Sequence, residues 1–336
     1  MPLATTENMC RTVNGFDING YGQLKDGRGN ICPVTIILPT IAMEARKYCE
    51  ANGGIRWEKQ FMTMLEETIE EAKDTLLERF EYICCQPPES ARFMYENGTI
   101  AGYNPKEGIR SALKHGTLAI GLLGMAETIE ILMRTNQTTE LGMKFAQRIC
   151  QLFKDKCAEY KEKYKLNFGV YYTPAEMLCH TAMTKFKQKY GEIPRVSENS
   201  YFTNSIHIPV WEEMDMMKKI KLESMLTGYS SAGCITYVEF DASVHNNIDA
   251  LDQIVNYAMD LDIPYFAINV PNDMCLNCGY TAPVIKNDCP KCNSIKIQRL
   301  RRVTGYLTAD YKTAFNKGKQ DETDMRVKHG GKEVKL

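Results

Sequence analysis

The chain has 336 residues, with 41 lysines and arginines against 42 aspartates and glutamates, and a formal net charge of −1. This balance excludes a general electrostatic attraction to nucleic acid or to anionic membranes. The length and the apolar share of 44% are those of one large globular domain or two ordinary ones. No apolar run approaches the roughly 20 residues that span a bilayer. The opening segment MPLATTENMC has no basic region or hydrophobic block, so we expect no secretory signal and a cytoplasmic protein.

Turn-forming Gly, Asn and Asp predict a loop over residues 1–30. After this loop, β-branched and apolar runs predict five strands, at 34–39, 168–174, 205–210, 234–240 and 265–270. The intervening segments predict helices at 40–52, 57–83, 108–133, 138–165, 175–190 and 246–261. Strands that alternate with helices are typical of a parallel α/β architecture, whose functional groups lie at the carboxyl ends of the strands.

Thirteen cysteines are a high count, and their odd number in a long, helix-rich chain argues against a disulfide scaffold. Cys275, Cys278, Cys289 and Cys292 form two C-x-x-C pairs that ten residues separate. Two such pairs can supply four thiolates to one metal and leave no position for water, so we predict a structural zinc site. An iron–sulfur cluster has the same number of ligands, but the knuckle-like surroundings CLNCGY and CPKCNS favour zinc. Four unrelated thiols are the remaining alternative.

Gly305 lies in the short segment TGY, shortly after the cysteine pairs. An ordinary turn is the simplest interpretation of such a glycine. A second interpretation is chemical. The Cα–H bond of glycine is weak because the radical that remains is planar and delocalised over the two neighbouring amides, so a buried glycine can store an unpaired electron. The predicted zinc site just upstream could anchor the segment that carries this glycine.

Together these segments resemble the anaerobic (class III) ribonucleotide reductases. RRVTGYL (301–307) is similar to the glycyl-radical loop of that family, and the cysteine pairs are similar to its zinc clip. Six further blocks resemble the family in the same order: GRGNICPVTIILPTIAMEA (27–45), KHGTLAIGLLGMAE (114–127), YYTPAEMLC (171–179), NSIHIPV (204–210), SSAGCITYVEF (230–240) and YFAINVPNDMCLNCGY (265–280). The resemblance extends over nearly the whole chain, and the set of motifs is highly specific.

The resemblance implies a radical reduction of ribonucleoside triphosphates. Gly305 would store the radical, and Cys10, in NMCRT, would become the thiyl radical that abstracts the 3′ hydrogen of the ribose. This transfer requires Gly305 to lie close to Cys10. Asn30, in RGNI, would hold the ribose through a side-chain amide that does not titrate. Without the family, a loose terminal thiol and a loop-capping asparagine would be the simpler interpretations.

The segment TPAE (173–176) would bind the substrate phosphates, with Thr173 and Ala175 as the candidate residues. Backbone N–H groups that are free at the start of a helix attract anions. A simple helix start with Pro174 in its first turn is the alternative.

Other candidate groups receive no chemistry. His115 lies in one of the blocks that resemble the family and is assigned no role, and His180 and His207 are interpreted as structural. The adjacent pair Cys84 and Cys85 is reminiscent of pyruvate formate-lyase, but it closes a predicted long helix and is interpreted as packing.

The fold that the resemblance implies is half of a ten-stranded α/β barrel, with about five parallel strands and their helices, plus a small C-terminal zinc-binding and glycyl-radical domain. The corresponding segments are an active-site loop at 1–30, the half barrel at 31–271, the zinc clip at 272–296, and the glycyl-radical loop and tail at 297–336.

Two departures from the family pattern matter. Met9 stands where the family has glycine directly before the cysteine. The chain is also about half the family length and lacks the part that carries the ATP-responsive regulatory cone, the specificity site and the first half of the barrel. A half barrel exposes a sheet edge and an apolar face, so we expect no nucleotide reduction by this polypeptide alone. A split gene, a truncated or intron-interrupted reading frame, or an artificially shortened chain would each explain the length.

The expected partners are the triphosphate substrate, a separate N-terminal half if the gene is split, a second copy of the complete subunit, and a radical-SAM activase. The basic residues Arg299, Arg301 and Arg302 could help to dock the activase, or could form an ordinary solvated face.

Two other functions stay open. One is a glycyl-radical lyase or dehydratase, which the zinc clip and TPAE oppose. The other is a non-catalytic zinc-ribbon module, for which we would expect a basic surface studded with aromatic residues.

Overall fold

The computed structural model describes residues 14–54, 56–175, 177–240, 247–302 and 310–329. The chain forms two compact units. Unit one comprises Met1–Pro174 and Leu226–Cys234, and unit two comprises Ala175–Met225 and Ile235–Leu336. The strands are β1 (Val34–Ile37), β2 (Thr117–Leu123), β3 (Asn167–Tyr171), β4 (Thr236–Glu239), β5 (Phe266–Asn269), β6 (Asn272–Cys275), β7 (Thr281–Ala282) and β8 (Ile297–Leu300). The α-helices are α1 (Leu38–Ala51), α2 (Trp57–Cys84), α3 (Arg92–Glu96), α4 (Arg110–Leu113), α5 (Met125–Met133), α6 (Glu140–Tyr164), α7 (Leu178–Tyr190), α8 (Met216–Thr227), α9 (Ile248–Asp260), α10 (Tyr311–Ala314) and α11 (Lys317–Met325).

Unit one is built on a parallel sheet of order β1-β2-β3. Val34 pairs with Ile120, and Thr117 pairs with Asn167. All residues of β2 and β3 are buried, as expected for parallel strands that are covered on both faces. Gly121 lies in β2 where a Cβ would stand 2.0 Å from Oγ1 of Thr173, so the close approach of the two segments needs glycine.

The long helix α2 supplies much of the core of unit one. Its buried side chains recur at helical spacing, which is the pattern of an amphipathic helix on a core. They are Phe61, Leu65, Ile69, Ala72, Leu76, Phe80 and Ile83. Helix α6 begins at a capped turn, because Oγ1 of Thr139 accepts a hydrogen bond from the N–H of Gly142. It ends at Lys165, which has a left-handed backbone.

Unit two has a parallel pair, β4 and β5, in which Thr236 pairs with Phe266 and Glu239 pairs with Asn269. Helices α8 and α9 bury apolar side chains against this pair. The cluster comprises Met216, Ile220, Val238, Phe240, Ile254, Ala258 and Ile263. After Pro271 the chain forms an antiparallel sheet of order β7-β6-β8, and α10 and α11 follow.

Most sequence predictions of elements are confirmed to within a few residues. Residues 14–30 form turns and isolated bridges, as predicted for a loop. The described elements include five parallel strands that helices separate, three in unit one and two in unit two.

Two of the element predictions are wrong. Residues 117–123, predicted as part of a buried helix, form strand β2, and only 110–113 and 125–133 are helical. A run that is apolar on every side has no period by which a helix and a doubly buried strand can be told apart. Residues 205–210, predicted as a strand, contain no strand residue. Ser205 has a left-handed φ of 49°, and the N–H of His207 bonds back to the carbonyl of Asn204 at 3.0 Å, so this buried segment turns instead of extending.

Within the described ranges, no helix combines the length and the apolar character that a bilayer crossing demands.

Candidate functional site

The four paired cysteines form one cluster in unit two, and their sulfur atoms all lie within 4.8 Å of one another. Sγ of Cys275 is 3.6 Å from Sγ of Cys292, and Sγ of Cys278 is 3.6 Å from Sγ of Cys289. Four sulfurs that bind one zinc at about 2.3 Å in a tetrahedron stand about 3.8 Å apart. The cluster therefore fits a tetrahedral metal site with four thiolate ligands.

Each cysteine pair lies on a tight knuckle of the same design. The N–H of Gly279 bonds to the carbonyl of Cys275 at 2.9 Å, and the N–H of Asn293 bonds to the carbonyl of Cys289 at 2.8 Å. Gly279 and Asn293 both have left-handed backbones, with φ of 72° and 56°. Glycine and asparagine are the residues that adopt this conformation at least cost. The local sequence thus shapes both knuckles before any metal binds.

Hydrogen bonds to sulfur favour the thiolate form of Cys292 in this cluster. Nδ2 of Asn277 donates to Sγ of Cys292 at 3.5 Å, and the N–H of Lys291 donates to Sγ of Cys289 at 3.4 Å. The bonds from the Asn277 side chain and from the Ser294 backbone lower the pKa of Cys292 to about 6. Thiolates are the form that binds metal.

Asn30 is fully buried at the edge of the unit-one sheet. The N–H of Ile31 bonds to the carbonyl of Thr117, and the N–H of Thr117 bonds to the carbonyl of Gly29, so the backbone on either side of Asn30 is fixed to β2. Nδ2 of Asn30 donates to the carbonyl of Ala232 at 3.4 Å. Its Oδ1 is buried and has no hydrogen-bond partner among the described residues. A buried acceptor without a partner is costly and is a mark of a functional position.

Thr173 lies just beyond β3 in unit one, with Oγ1 at 2.9 Å from Oγ1 of Thr35. Ala175 belongs to unit two. Its N–H donates to Oδ1 of Asn204 at 3.1 Å, so this amide is already bonded to a side chain. Helix α7 begins only at Leu178, three residues after Ala175.

Cys10 and Gly305, the two predicted radical residues, lie outside the described residues. Of the three arginines before Gly305, Arg301 points its Nη1 to Oδ1 of Asp273 at 2.6 Å, and Nη2 of Arg299 donates to the carbonyl of Lys286 at 3.3 Å. Only Arg302 of the three is exposed.

Sequence reasoning missed a buried polar network in unit one that supports the turns of residues 14–30. The carboxylate of Asp17 accepts hydrogen bonds from Nδ2 of Asn167 at 2.6 Å and from Nδ1 of His115 at 2.8 Å. Nε of Arg28 donates to the carbonyl of His115 at 2.7 Å, and its Nη1 donates to the carbonyls of Gly15 and Leu24 at 3.0 and 2.7 Å.

This network acts on the ionisation of Asp17. Burial raises the pKa of this carboxyl group, but the bonds from Asn167, from His115 and from the backbone of Asn19 and Tyr21 outweigh burial and lower the pKa to about 2. The only signal in the sequence was the density of polar residues in an expected loop.

The chain is similar to known proteins over most of its length. The sequence model of the NRDD family, described as anaerobic ribonucleoside-triphosphate reductase, matches residues 3–329. The anaerobic ribonucleoside-triphosphate reductase of Escherichia coli is 30% identical over 96% of this chain and 46% of that protein. The reductase of the same name from Enterobacteria phage T4 is 27% identical over 91% of this chain and 50% of that protein.

A solved structure of the anaerobic ribonucleotide reductase from Thermotoga maritima, with glycerol in its active site, is also similar. It matches 94% of this chain and 47% of its own with a TM-score of 0.69 and 21% identity, which shows a shared fold. The chain spans about half the length of the curated relatives it matches. With a family match over nearly all of its residues, the chain belongs to the anaerobic ribonucleoside-triphosphate reductase family.

Proposed function

We propose that this chain is the C-terminal catalytic portion of an oxygen-sensitive ribonucleoside-triphosphate reductase. The observation that carries the proposal is the family match over residues 3–329, because that range includes Cys10, Asn30, the four paired cysteines and Gly305. The fit of those four cysteines to a closed metal site supports it independently.

In this proposal Gly305 stores the radical and Cys10 carries out the chemistry. The glycyl radical takes the hydrogen atom of the Cys10 thiol, which leaves a thiyl radical and restores glycine. The thiyl radical takes the 3′ hydrogen of the ribose, and that hydrogen is returned at the end of the cycle. The transfer between the thiol and the ribose is nearly balanced in energy because the S–H bond and the 3′ C–H bond are of similar strength. The 2′ C–O bond breaks, the hydroxyl leaves as water, and formate or a thiol protein supplies the two electrons that this reduction needs.

Asn30 is proposed to hold the ribose. Its buried Oδ1 has no hydrogen-bond partner within the described ranges and can accept a hydrogen bond from a sugar hydroxyl, and an amide positions that hydroxyl without taking its proton. Its Nδ2 already donates to Ala232, so the side chain has a defined orientation.

Thr173 and Ala175 are proposed to bind the substrate phosphates. The Thr173 hydroxyl can donate to a phosphate oxygen if it exchanges its bond with Thr35. The N–H of Ala175 must likewise leave Oδ1 of Asn204 before it can bind an anion.

Cys275, Cys278, Cys289 and Cys292 would hold the zinc ion. A metal with four sulfur ligands has no open position, so its contribution is to the structure and not to the reaction. These residues close the segment 275–292 and thereby fix the start of β8, which leads toward Gly305.

We propose that the described parallel strands are half of a ten-stranded barrel, with the segments 1–30, 31–271, 272–296 and 297–336 as loop, half barrel, zinc clip and glycyl-radical region. The similarity to 47% of the Thermotoga maritima reductase supports this. The remaining half would come from a separate N-terminal chain or from a longer form of this one. The complete subunit would form a homodimer, and a radical-SAM activase would generate the radical in the cytoplasm.

Anaerobic electron paramagnetic resonance tests the proposal. The chain is combined with an N-terminal half and an activase, and a glycyl doublet is expected. Gly305→Ala should abolish the doublet. Gly228→Ala is the matched control, because Gly228 is exposed and a Cβ there would meet nothing within 4 Å. If the unchanged protein gives no glycyl doublet with both partners present, a non-catalytic zinc-binding module is favoured.

A further inference from the structure

Arg326 holds the backbone at the point where the chain leaves β8. Nη1 of Arg326 donates to the carbonyl oxygen of Arg302 at 3.1 Å. The same guanidinium contacts two carboxylates, because Nη2 donates to Oε1 of Glu322 at 3.0 Å and Nη1 lies 3.5 Å from Oε1 of Glu239. The side chain of Arg326 is only 8% exposed. The buried guanidinium of Arg326 therefore joins Arg302 to α11 and to the end of β4.

The partners of Arg326 are themselves fixed. Glu322 also pairs with Nζ of Lys319, and both side chains are 3% exposed. Oε1 of Glu239 accepts a hydrogen bond from Nδ2 of Asn269 at 2.7 Å. Glu239 and Asn269 are the last residues of the parallel strands β4 and β5. The anchor of Arg302 is thus the carboxyl edge of this strand pair, where functional groups of α/β folds lie.

A second arginine contacts residues that precede and follow the segment 303–309 in sequence. Arg301 pairs with the buried Asp273 of β6 at 2.6 Å, and its guanidinium stands 5.3 Å from the ring centroid of Tyr311. The hydroxyl of Tyr311 donates to Asp324 of α11 at 2.7 Å. Gly305 lies between these two contacts in sequence, four residues after Arg301 and six before Tyr311.

We propose that Arg326 is a positioning residue for Gly305, with Arg301 in a supporting role. The proposal rests on the radical function of Gly305 proposed above. Three residues of chain span at most about 11 Å, so a fixed Arg302 sets the origin from which Gly305 can reach its reaction partner. A hydrogen-atom transfer tolerates little misplacement of the reacting atoms.

Arginine suits this position because its planar guanidinium group can donate hydrogen bonds in several directions at once. A lysine at 326 would keep the charge but present one compact ammonium group, which cannot serve the carbonyl and both carboxylates with the same geometry. If Arg326 only stabilised the fold, a lysine that keeps the positive charge would leave the radical yield unchanged. A positioning role predicts that Arg326→Lys folds and binds zinc normally but loses radical yield.

The first measurement is independent of the radical. Arg302 is exposed, so trypsin can cleave after it, and the fragment that begins at Val303 is followed by mass spectrometry. Arg326→Lys and Arg326→Gln should raise the rate of this cleavage at least tenfold. Lys317→Gln is the matched control, since it removes only the surface pair with Asp321 on the same helix. Its cleavage rate and that of the unchanged chain should agree within a factor of two.

The second measurement is the glycyl doublet per chain after anaerobic activation with the N-terminal half present. Arg326→Lys should lower it at least fivefold at unchanged zinc content, while Lys317→Gln keeps it. An equal doublet in Arg326→Lys and the unchanged chain would overturn the positioning role even if trypsin cleavage rises. No doublet in the unchanged chain would instead overturn the proposed function, and the positioning role with it. If Arg326→Gln fails to fold, Arg326→Lys alone decides.

Discussion

Nδ2 of Asn167 donates a 2.6 Å hydrogen bond to Oδ1 of Asp17 across 150 residues of sequence. Asn167 opens β3, and Asp17 lies in the described turns of residues 14–30, between Cys10 and Asn30 in sequence. The bond therefore ties these turns to the central sheet of unit one. Asp17 is 1% exposed, so its carboxylate depends on such donors for its stability.

Replacement of Asp17 by asparagine should destabilise the protein in a pH-dependent way. The native pKa of about 2 lies below the roughly 3.9 of an unfolded aspartate. The ionised carboxylate therefore stabilises the fold by about 2 kcal/mol above pH 4, and this contribution is lost as the pH falls from about 4 to about 2. Urea unfolding of Asp17→Asn and of the unchanged chain, at pH 7 and at pH 2.5, measures the difference.

The difference in the free energy of unfolding should be largest at pH 7 and should fall to about a third of that value at pH 2.5, because a carboxyl group with a pKa of about 2 is still mostly ionised there. Asp155→Asn is the control, because Asp155 is an exposed partner of Gln151 on α6, and its effect should stay within about 0.5 kcal/mol. A difference that is the same at both pH values would contradict the assigned ionisation of Asp17.

The four-cysteine cluster should bind one zinc ion per chain. Cys275→Ser should abolish stoichiometric zinc, because three thiolates and a hydroxyl no longer provide the donor set of a closed site. Cys85→Ser should keep it, since Cys85 is exposed and lies at the end of α2, outside the cluster. Elemental analysis of the purified variants measures the content. Zinc retained in full by Cys275→Ser would contradict the assignment.

Removal of zinc should loosen the segment 272–300 first. The small core of this segment contains little apolar material besides Ile285 and Ile297 beside the cysteines, so the metal is needed for its order. Hydrogen exchange after chelation should rise there at least tenfold while β1 to β3 stay protected. Uniform exchange throughout the chain would show that the metal supports the whole fold.

Asn30→Ala should strongly lower the activity and barely change the stability. It removes one weak hydrogen bond to Ala232 and also removes the unpaired Oδ1, so the free energy of unfolding should change by no more than about 1 kcal/mol. In the complemented reductase, deoxyribonucleotide formation should fall at least about 100-fold, as expected when a positioned substrate contact is lost. The exposed Asn97, whose Nδ2 also donates to a backbone carbonyl, provides the control Asn97→Ala.

Gly121→Ala should disturb the position of Thr173. The added Cβ would stand 2.0 Å from Oγ1 of Thr173 and 3.1 Å from the carbonyl oxygen of Tyr171, so β2, β3 or the threonine must shift. We expect a loss of about 2 kcal/mol or more in the free energy of unfolding, measured by urea titration. Gly228→Ala should change it by less than about 1 kcal/mol, because no atom of the described residues lies within 4 Å of the added atom. An equal loss in the free energy of unfolding for Gly121→Ala and Gly228→Ala would show that the strands can move apart to accept the added methyl group at little cost.

Local patterns predicted the features that depend on neighbours in sequence. The spacing of the cysteine pairs predicted a cluster that the fold assembles, and the helical period of Phe61, Leu65 and Ile69 predicted the buried face of α2. Where the pattern had no period, the prediction was wrong: the run at 117–123 is apolar throughout, and its strand state follows from pairing with β1 and β3. The turn at Ser205 likewise depends on its surroundings and not on its β-branched neighbours.

By itself, the sequence determined the family, the four cysteines of the cluster and the identity of the proposed radical and ribose positions, because each of these is a matter of which residue stands where along the chain. Only the tertiary structure decided that Asp17 meets Asn167 and His115, that Asn30 keeps a buried oxygen without a partner in the described part of the chain, and that Arg326 holds the carbonyl of Arg302. These contacts join residues that are far apart in sequence, or depend on what surrounds a buried atom. Hydrogen bonds act over about 3 Å, so no pattern along the chain can specify them until folding has brought the groups together.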